Sequence, residues 1–174
     1  MDGKLIGLVR DTLVRQYGEG LWGALANRDA ASAEAPSDSL ACWLGQHAVP
    51  ALADTYPSLF SRHDDLASFI GGLGDDLPVA GARVEDDEVP LAFQTTTGPD
   101  GQIFLRIEAH CSICAVVQGV IAGAAVHYGE LVAIHQIKSR RRGDNVCLLQ
   151  IEVGDSADVP EVDSLDGFLA VGNA

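Results

Sequence analysis

The sequence predicts an α+β fold in which a helical half precedes an antiparallel β-sheet that carries one long closing helix. Apolar residues recur at helical spacing in much of residues 1–84, whereas they alternate in most of residues 85–153. Between two alternating segments, residues 112–128 form an apolar helical pattern that contains glycine. At 174 residues, the chain suits a single domain with a sizeable core. We therefore expect one H-bonded sheet and one helical subdomain within residues 1–153.

The helical half is predicted to contain four helices separated by glycine, proline and acidic residues. An opening helix ends near residues 17–20, and a second begins at Leu21. A third spans residues 40–53, where Pro50 predicts a kink or a restart. The last is capped by residues 64–65. The third helix is predicted to place three side chains on one face: Trp43, Leu44 and His47.

The β-rich half is predicted to form four strands, and a hairpin turn at residues 98–101 joins the first two. The strands cover residues 89–97, 102–109, 130–138 and 145–153. Alternation in the second strand predicts a buried face of Ile103, Leu105, Ile107 and Ala109. The helix between the second and third strands is predicted to bury Cys114, Val117, Ile121, Ala124 and Tyr128.

Charge excludes several classes of partner. A net charge of −14 argues against nucleic acid, because phosphate repulsion would not be offset. No segment is predicted to span a membrane or to act as a signal peptide, and four cysteines suit a reduced, cytoplasmic protein. The basic turn, residues 138–142, is interpreted either as a solvated turn or as a docking patch for an acidic partner. The acidic tail, residues 154–174, is predicted to be mobile.

Candidate chemical groups are few, and no common catalytic motif is present, so we do not expect an enzyme. The densest group of soft ligands is His110, Cys111 and Cys114, to which Cys147 could be added. Such a set could hold zinc or act as a thiol switch. The alternative is that these cysteines are small buried apolar residues.

Several segments resemble one known family. Residues 1–9 with 16–22 are similar to its opening helix, residues 53–60 and 66–77 to its central helices, and residues 120–130 with 142–147 to its closing helix and hairpin. The family is that of heme nitric-oxide/oxygen-binding (H-NOX) domains, and the resemblance covers about residues 1–153. It implies a sensor of NO or O2 that signals to a partner such as a histidine kinase or a cyclase.

The resemblance also locates the family's ligand pocket in this chain. The position of the histidine that ligates iron falls on Pro78, which has no donor atom. The family's Tyr-x-Ser-x-Arg strand, which holds the heme propionates, falls on Ile107, Ala109 and Cys111. The pocket that the resemblance implies is lined by apolar residues: Leu5, Val9, Leu77, Pro78, Ile107, Val116 and Val120.

These departures lead to three hypotheses. The first is a heme-free descendant of the H-NOX fold, with no cofactor, that binds a small apolar ligand or a partner protein in signalling. An alternative is a heme-based sensor that uses His47, His63 or His110 as the axial ligand. A second alternative is a zinc or thiol redox switch at Cys111 and Cys114. The closing segment also resembles vinyl-reductase-like small-ligand domains, whose intervening cysteine falls on Ser139.

Overall fold

The structure, a computed structural model, describes residues 4–26, 37–75, 92–109 and 111–155. Five helices come first along the chain: α1 (Lys4–Tyr17), α2 (Glu19–Ala26), α3 (Asp38–Thr55), α4 (Pro57–Ser61) and α5 (Leu66–Asp75). Two strands, helix α6 and two further strands follow: β1 (Ala92–Thr97), β2 (Ile103–Glu108), α6 (Cys111–Tyr128), β3 (Glu130–Lys138) and β4 (Cys147–Asp155). Among the described residues, α1 to α5 therefore precede the strands, and α6 lies between β2 and β3.

The four strands form one antiparallel sheet in the order β1-β2-β4-β3. The predicted face of β2 is confirmed, because Ile103, Leu105, Ile107 and Ala109 are all buried. Cys147, Leu149 and Ile151 continue this apolar face on β4. β4 also extends two residues into the predicted acidic tail, since Gly154 and Asp155 pair with the start of β3. The remainder of that tail lies outside the described residues.

Helix α6 is the centre of the molecule and is apolar around most of its circumference. Nearly all of its residues from Ser112 to Ala125 are buried. A helix that is hydrophobic on all sides must be covered on all sides. The sheet covers one side and α3 covers another, in the most extensive contact between two elements among the described residues. The core therefore lies on both sides of α6, between the sheet and the helical half.

A glycine seam, formed by Gly45 of α3 with Gly119 and Gly123 of α6, brings these two helices together. A Cβ atom on Gly45 would overlap the Val116 carbonyl oxygen, and one on Gly119 would overlap the Cys42 carbonyl oxygen. Backbone atoms cannot yield as a flexible side chain can. Only glycine therefore permits this approach of one helix backbone to the other.

Pro50 lies inside α3, and the predicted restart there is wrong because the helix continues from Asp38 to Thr55. Proline has no N–H, so the carbonyl of Gln46, four residues earlier, loses its usual helical partner. A Cβ on Gly123 would be 2.7 Å from that carbonyl oxygen, which shows that α6 approaches it closely.

The predicted common face of Trp43, Leu44 and His47 is confirmed only for Trp43 and His47, which stack on one exposed face. Leu44 is buried instead. The buried face of α3 consists largely of small residues, among them Ala41, Gly45 and Ala48. Because this face lies almost against the backbone of α6, a tryptophan would not fit there.

Helix α5 is tied to the sheet half at its first turn. Glu130 Oε2, at the start of β3, accepts a hydrogen bond from the backbone N–H of Leu66 at 2.6 Å. Tyr128 O–H donates to the Phe60 carbonyl oxygen at 2.8 Å. Phe60 also stacks on Phe69 of α5, with ring centroids 5.3 Å apart. These contacts join α4, α5 and the end of α6 into one cluster.

Asp65 caps α5, as the sequence predicts, and its removal should destabilise the fold. Its Oδ1 accepts a hydrogen bond from the Ser68 N–H at 2.7 Å, and this bond lowers the pKa of Asp65. We expect Asp65→Ala to lower the free energy of unfolding by about 1 kcal/mol in urea denaturation. Because folding lowers the pKa of Asp65, the cap stabilises the fold fully at pH values above the ordinary pKa of aspartate. This stabilisation is lost as the pH falls through the pKa of Asp65 in the folded state.

The matched control is Asp64→Ala, which changes the neighbouring exposed carboxylate and not the cap. Asp64→Ala should change the free energy of unfolding by less than about 0.5 kcal/mol. Equal losses in the two variants at neutral pH would show that Asp65 acts only through its charge and would contradict the cap.

Candidate functional site

Four of the residues predicted to line the ligand pocket are described with their side chains, and each is fully buried. They are Val9 in α1, Ile107 in β2, and Val116 and Val120 in α6, all with 0% exposure. A cavity that holds even one water molecule leaves part of its wall accessible. No such cavity therefore borders these four side chains, which belong to the continuous apolar core of the described residues.

Some predicted site residues cannot be placed. Leu77, Pro78 and His110 lie outside the described residues. The side chains of Leu5 and Cys111 also lie outside them, although the backbone of each belongs to a helix. The pocket wall, meaning the described residues predicted to line the pocket, therefore consists of Val9 in α1, Ile107 in β2, and Val116 and Val120 in α6. These four side chains are packed in the core and form no open surface.

Of the candidate iron ligands, His47 and His63 are described, and neither is fully buried. His47 is exposed on α3, stacks on Trp43 with ring centroids 4.0 Å apart, and its Nδ1 lies 2.9 Å from the Trp43 carbonyl oxygen. His63 follows α4, and its ring packs against Gly72 of α5, where a Cβ would overlap it. The His63 ring also lies beside Phe69 of the hydrophobic core, with ring centroids 5.8 Å apart. His63 therefore borders the core through Phe69, whereas the ring partner of His47 is the exposed Trp43.

The described residues at the family's propionate-binding positions do not fit heme. Ile107 and Ala109 are buried and apolar, so they offer no hydrogen bond or charge to a carboxylate. A buried carboxylate without such a partner is strongly destabilised. The nearby cation on β2, Arg106, is exposed and pairs with Glu108 at 2.6 Å. Among the described ranges, no three His, Cys, Asp or Glu side chains converge to hold a metal ion.

The chemically distinctive group is a buried thiol pair, Cys114 on α6 and Cys147 at the start of β4. The two side chains are 1% and 0% exposed, and neither is in a disulfide. The hydrogen bond from Cys114 is the largest of the effects that lower the pKa of Cys147 to about 7. Burial and the negative charge of Asp38 oppose this shift, whereas the backbone N–H and the positive charge of Arg140 add to it. These contacts therefore favour the thiolate of Cys147, whereas its burial favours the thiol.

The fold holds Arg140 close to Cys147. It lies in a short 3-10 turn, Arg140–Arg142, within the basic turn. Its Nη1 donates to the Ala109 carbonyl oxygen at 3.3 Å. Ser139 N–H donates to Asp144 Oδ2 at 2.8 Å and holds the base of the turn. The sequence predicts the basic turn but not this role of Arg140, because no spacing rule relates a turn residue to a helix residue 26 positions earlier.

A third thiol, Cys42 on α3, provides a contrast. Burial raises its pKa, and the negative charge of Asp38 raises it further. Asp38 Oδ1 lies 3.1 Å from Arg141 Nε. That oxygen is buried without a partner in hydrogen-bond geometry, so we treat the contact as an ion pair only. Cys42 is therefore less acidic than Cys147, although it is more exposed.

The predicted soft-ligand set is thus only partly assembled. Cys114 and Cys147 interact, whereas His110 and the Cys111 side chain lie outside the described residues. The register of the sheet explains why Cys147 lies close to Cys114. Cys147 pairs with Ile107, which lies near the end of β2, the strand that leads into α6. The sequence predicted only that Cys114 lies on an apolar helix face and that Cys147 lies in a strand.

Solved structures show which fold this arrangement belongs to. An H-NOX protein from S. oneidensis in the Fe(II)NO state matches with a TM-score of 0.60 and 21% identity, over 89% of this chain and 100% of that one. An oxygen-binding H-NOX domain related to soluble guanylate cyclases, solved as its oxygen complex, matches with a TM-score of 0.58 and 14% identity, over 94% and 100%.

The class is therefore an α+β domain with a helical subdomain on a four-stranded antiparallel sheet. Within that class, the chain has an H-NOX-like fold, with a sequence far from those of the solved examples. No protein-family model matches the sequence, and no curated protein matches it. No helix within the described residues combines the length and the hydropathy that a bilayer crossing requires.

Proposed function

We propose that this chain is a heme-independent H-NOX-like sensory domain whose output is contact with a signalling protein. The observation that carries the proposal is the closed wall at Val9, Ile107, Val116 and Val120. A porphyrin needs a cavity at these positions, and opening a close-packed core costs several kcal/mol before any contact with the ligand forms. An axial bond would have to offset that cost, and the resemblance assigns the axial position to Pro78.

The same closure favours a protein partner over a small apolar ligand. A small-molecule site is usually a largely preformed cavity, and the described wall borders none. The partner that the family resemblance suggests is a histidine kinase or a cyclase. One H-NOX domain with this fold is related to soluble guanylate cyclases. The exposed cations of the basic turn, Lys138 and Arg140–Arg142, form a docking surface for an acidic part of such a partner.

Heme titration tests heme independence directly. Hemin added to the purified, reduced chain should give no sharp Soret band, and ferrous CO should give no shifted band. Pro78→His, which supplies a donor at the family's ligand position, should still bind no heme if the closed wall is the barrier. A sharp band in the unaltered chain that His47→Ala, His63→Ala or His110→Ala removes would contradict the proposal and support the alternative of a non-family axial ligand.

A further inference from the structure

The outward face of α3 is largely apolar although it is exposed. Its exposed residues recur at helical spacing and form what we call the α3 ridge: Leu40, Trp43, His47 and Pro50. Leu40 is 43% exposed and Trp43 is 45% exposed. No Asp, Glu, Lys or Arg lies between Asp38 and Asp54. Because a surface helix usually places charged residues on its outward face, the ridge indicates an interaction surface.

The basic turn lies at the amino-terminal end of this ridge. Arg141 Nε is 3.1 Å from Oδ1 of Asp38, the first residue of α3. The cations of the basic turn, Lys138 and Arg140–Arg142, are exposed. An apolar ridge that ends at a cluster of cations is complementary to a segment that combines apolar and acidic residues.

The distal tail, residues 156–174, has this composition. It contains no Lys or Arg, and its acids are Asp158, Glu161, Asp163 and Asp166. Apolar residues recur at helical spacing among and after these acids: Val162, Leu165, Phe168 and Leu169. By contrast, residues 27–36, which precede α3, contain no large apolar side chain. The distal tail is therefore the better match to the ridge.

We propose that the distal tail docks on the α3 ridge and the basic turn of the same chain. Leu165 and Phe168 cover the ridge. Asp163 and Asp166 face the cations of the basic turn. A tethered segment has an effective concentration in the millimolar range, so it occupies such a surface before the same segment of a second copy does. The proposal goes beyond the proposed function, because the contact lies within one chain and needs no partner protein.

The length of the distal tail fits this path. The described residues end at Asp155, which pairs with Glu130 at the first position of β3. The basic turn begins at the other end of β3, about 27 Å away at the usual rise of a strand. An extended chain that starts at Asp155 reaches about 26–36 Å by residues 163–166. Asp163 and Asp166 can therefore reach the cations of the turn.

The direction of the path also fits. α3 leads into α4, where the Phe60 carbonyl accepts a hydrogen bond from Tyr128, two residues before β3 begins. The described residues therefore end on the side of the molecule where α3 ends, and the basic turn lies where α3 begins. A tail that docks on the turn runs antiparallel to α3. Such a tail also competes with an acidic partner for the turn, and this consequence alone rests on the proposed function.

Carbodiimide cross-linking of the full chain tests the charged part of the contact. The reagent joins a carboxylate to an amine that it touches, and Lys138 supplies the amine. After trypsin digestion, we expect residues 107–140 to be linked to residues 143–174. Fragmentation should place the bond at Asp163 or Asp166, and not at Asp144 of the same peptide. Asp163→Asn with Asp166→Asn should abolish this link. The matched control is Asp158→Asn, which lies too near β4 to reach the turn and should leave the link unchanged.

Tryptophan fluorescence tests the apolar part of the contact. Trp22 is only 8% exposed, so quenching by acrylamide reports mainly on Trp43. Leu165→Ser with Phe168→Ser should move the emission to longer wavelength and increase quenching, because water replaces the apolar cover. Val159→Ser, near the end of β4, is the matched control and should change neither. Circular dichroism checks the fold of each variant, and the cross-link in the unaltered chain requires no substitution.

Three results would overturn the proposal. The first is a link from Lys138 to residues 84–106 in place of the distal tail, which would make the acidic residues 85–88 the occupant of the basic turn. The second is a link that joins isotopically labelled to unlabelled chains in a mixture, which would make a second copy the occupant. The third is an unaltered chain in which Lys138 has no link to Asp163 or Asp166.

Discussion

Gly119→Ala should destabilise the fold by on the order of 3 kcal/mol or prevent folding, because the new methyl group has no place at the glycine seam. A Cβ there would overlap the Cys42 carbonyl oxygen and lie 2.8 Å from the Gln46 backbone nitrogen. Both contacts are with backbone, so relief requires α3 and α6 to separate. Separation would loosen the most extensive contact between two elements of the described fold. Urea denaturation followed by circular dichroism measures the loss.

Gly71→Ala is the matched control, since it adds the same methyl group inside α5. Nothing lies within 4 Å of a Cβ at Gly71, and alanine is favoured over glycine in a helix by about 1 kcal/mol. Gly71→Ala should therefore leave stability unchanged or raise it. If Gly119→Ala were equally well tolerated, α3 and α6 would not lie as close together as described. The close approach of Gly123 to the Gln46 carbonyl oxygen would then be wrong as well.

Periodicity predicted the β-rich half well because its strands have one buried face and one exposed face. β2 alternates strictly, and Ile107 and Leu105 lie where alternation places them. The same reasoning failed on α3, where the buried face is defined by small size rather than by hydrophobicity. Trp43 is 45% exposed, while Gly45 lies against α6. A hydrophobic pattern cannot distinguish a face that must be apolar from one that must be small.

The candidate site was likewise predicted only in part. Resemblance identified the wall residues Val9, Val116 and Val120, and all three lie in the core. It could not show whether the wall encloses a space, because closure depends on how near α6 lies to its neighbours. The thiol pair was predictable only as two buried cysteines. Their meeting depends on strand register, which places Cys147 opposite Ile107, and sequence spacing carries no such information.

Ile107→Ala should destabilise the fold by about 3 kcal/mol and open a cavity at the position where the H-NOX resemblance places the ligand. Ile107 is 0% exposed in the middle of the sheet, between β1 and β4. The substitution removes side-chain carbons whose packing contacts the neighbouring core residues cannot fully replace. Urea denaturation measures the loss, and a thermal shift with benzene detects the cavity, since a dry apolar cavity binds such a molecule.

The matched control is Ile137→Ala, the same substitution at a bulged position of β3 that is 47% exposed. It should cost less than about 0.5 kcal/mol and give no shift with benzene. If benzene also raised the melting temperature of the unaltered chain, a cavity would already exist and the small apolar ligand would become the favoured function. Stabilisation of Ile107→Ala alone would show that the core at this wall is closed by packing, and that Ile107 is one of the side chains that close it.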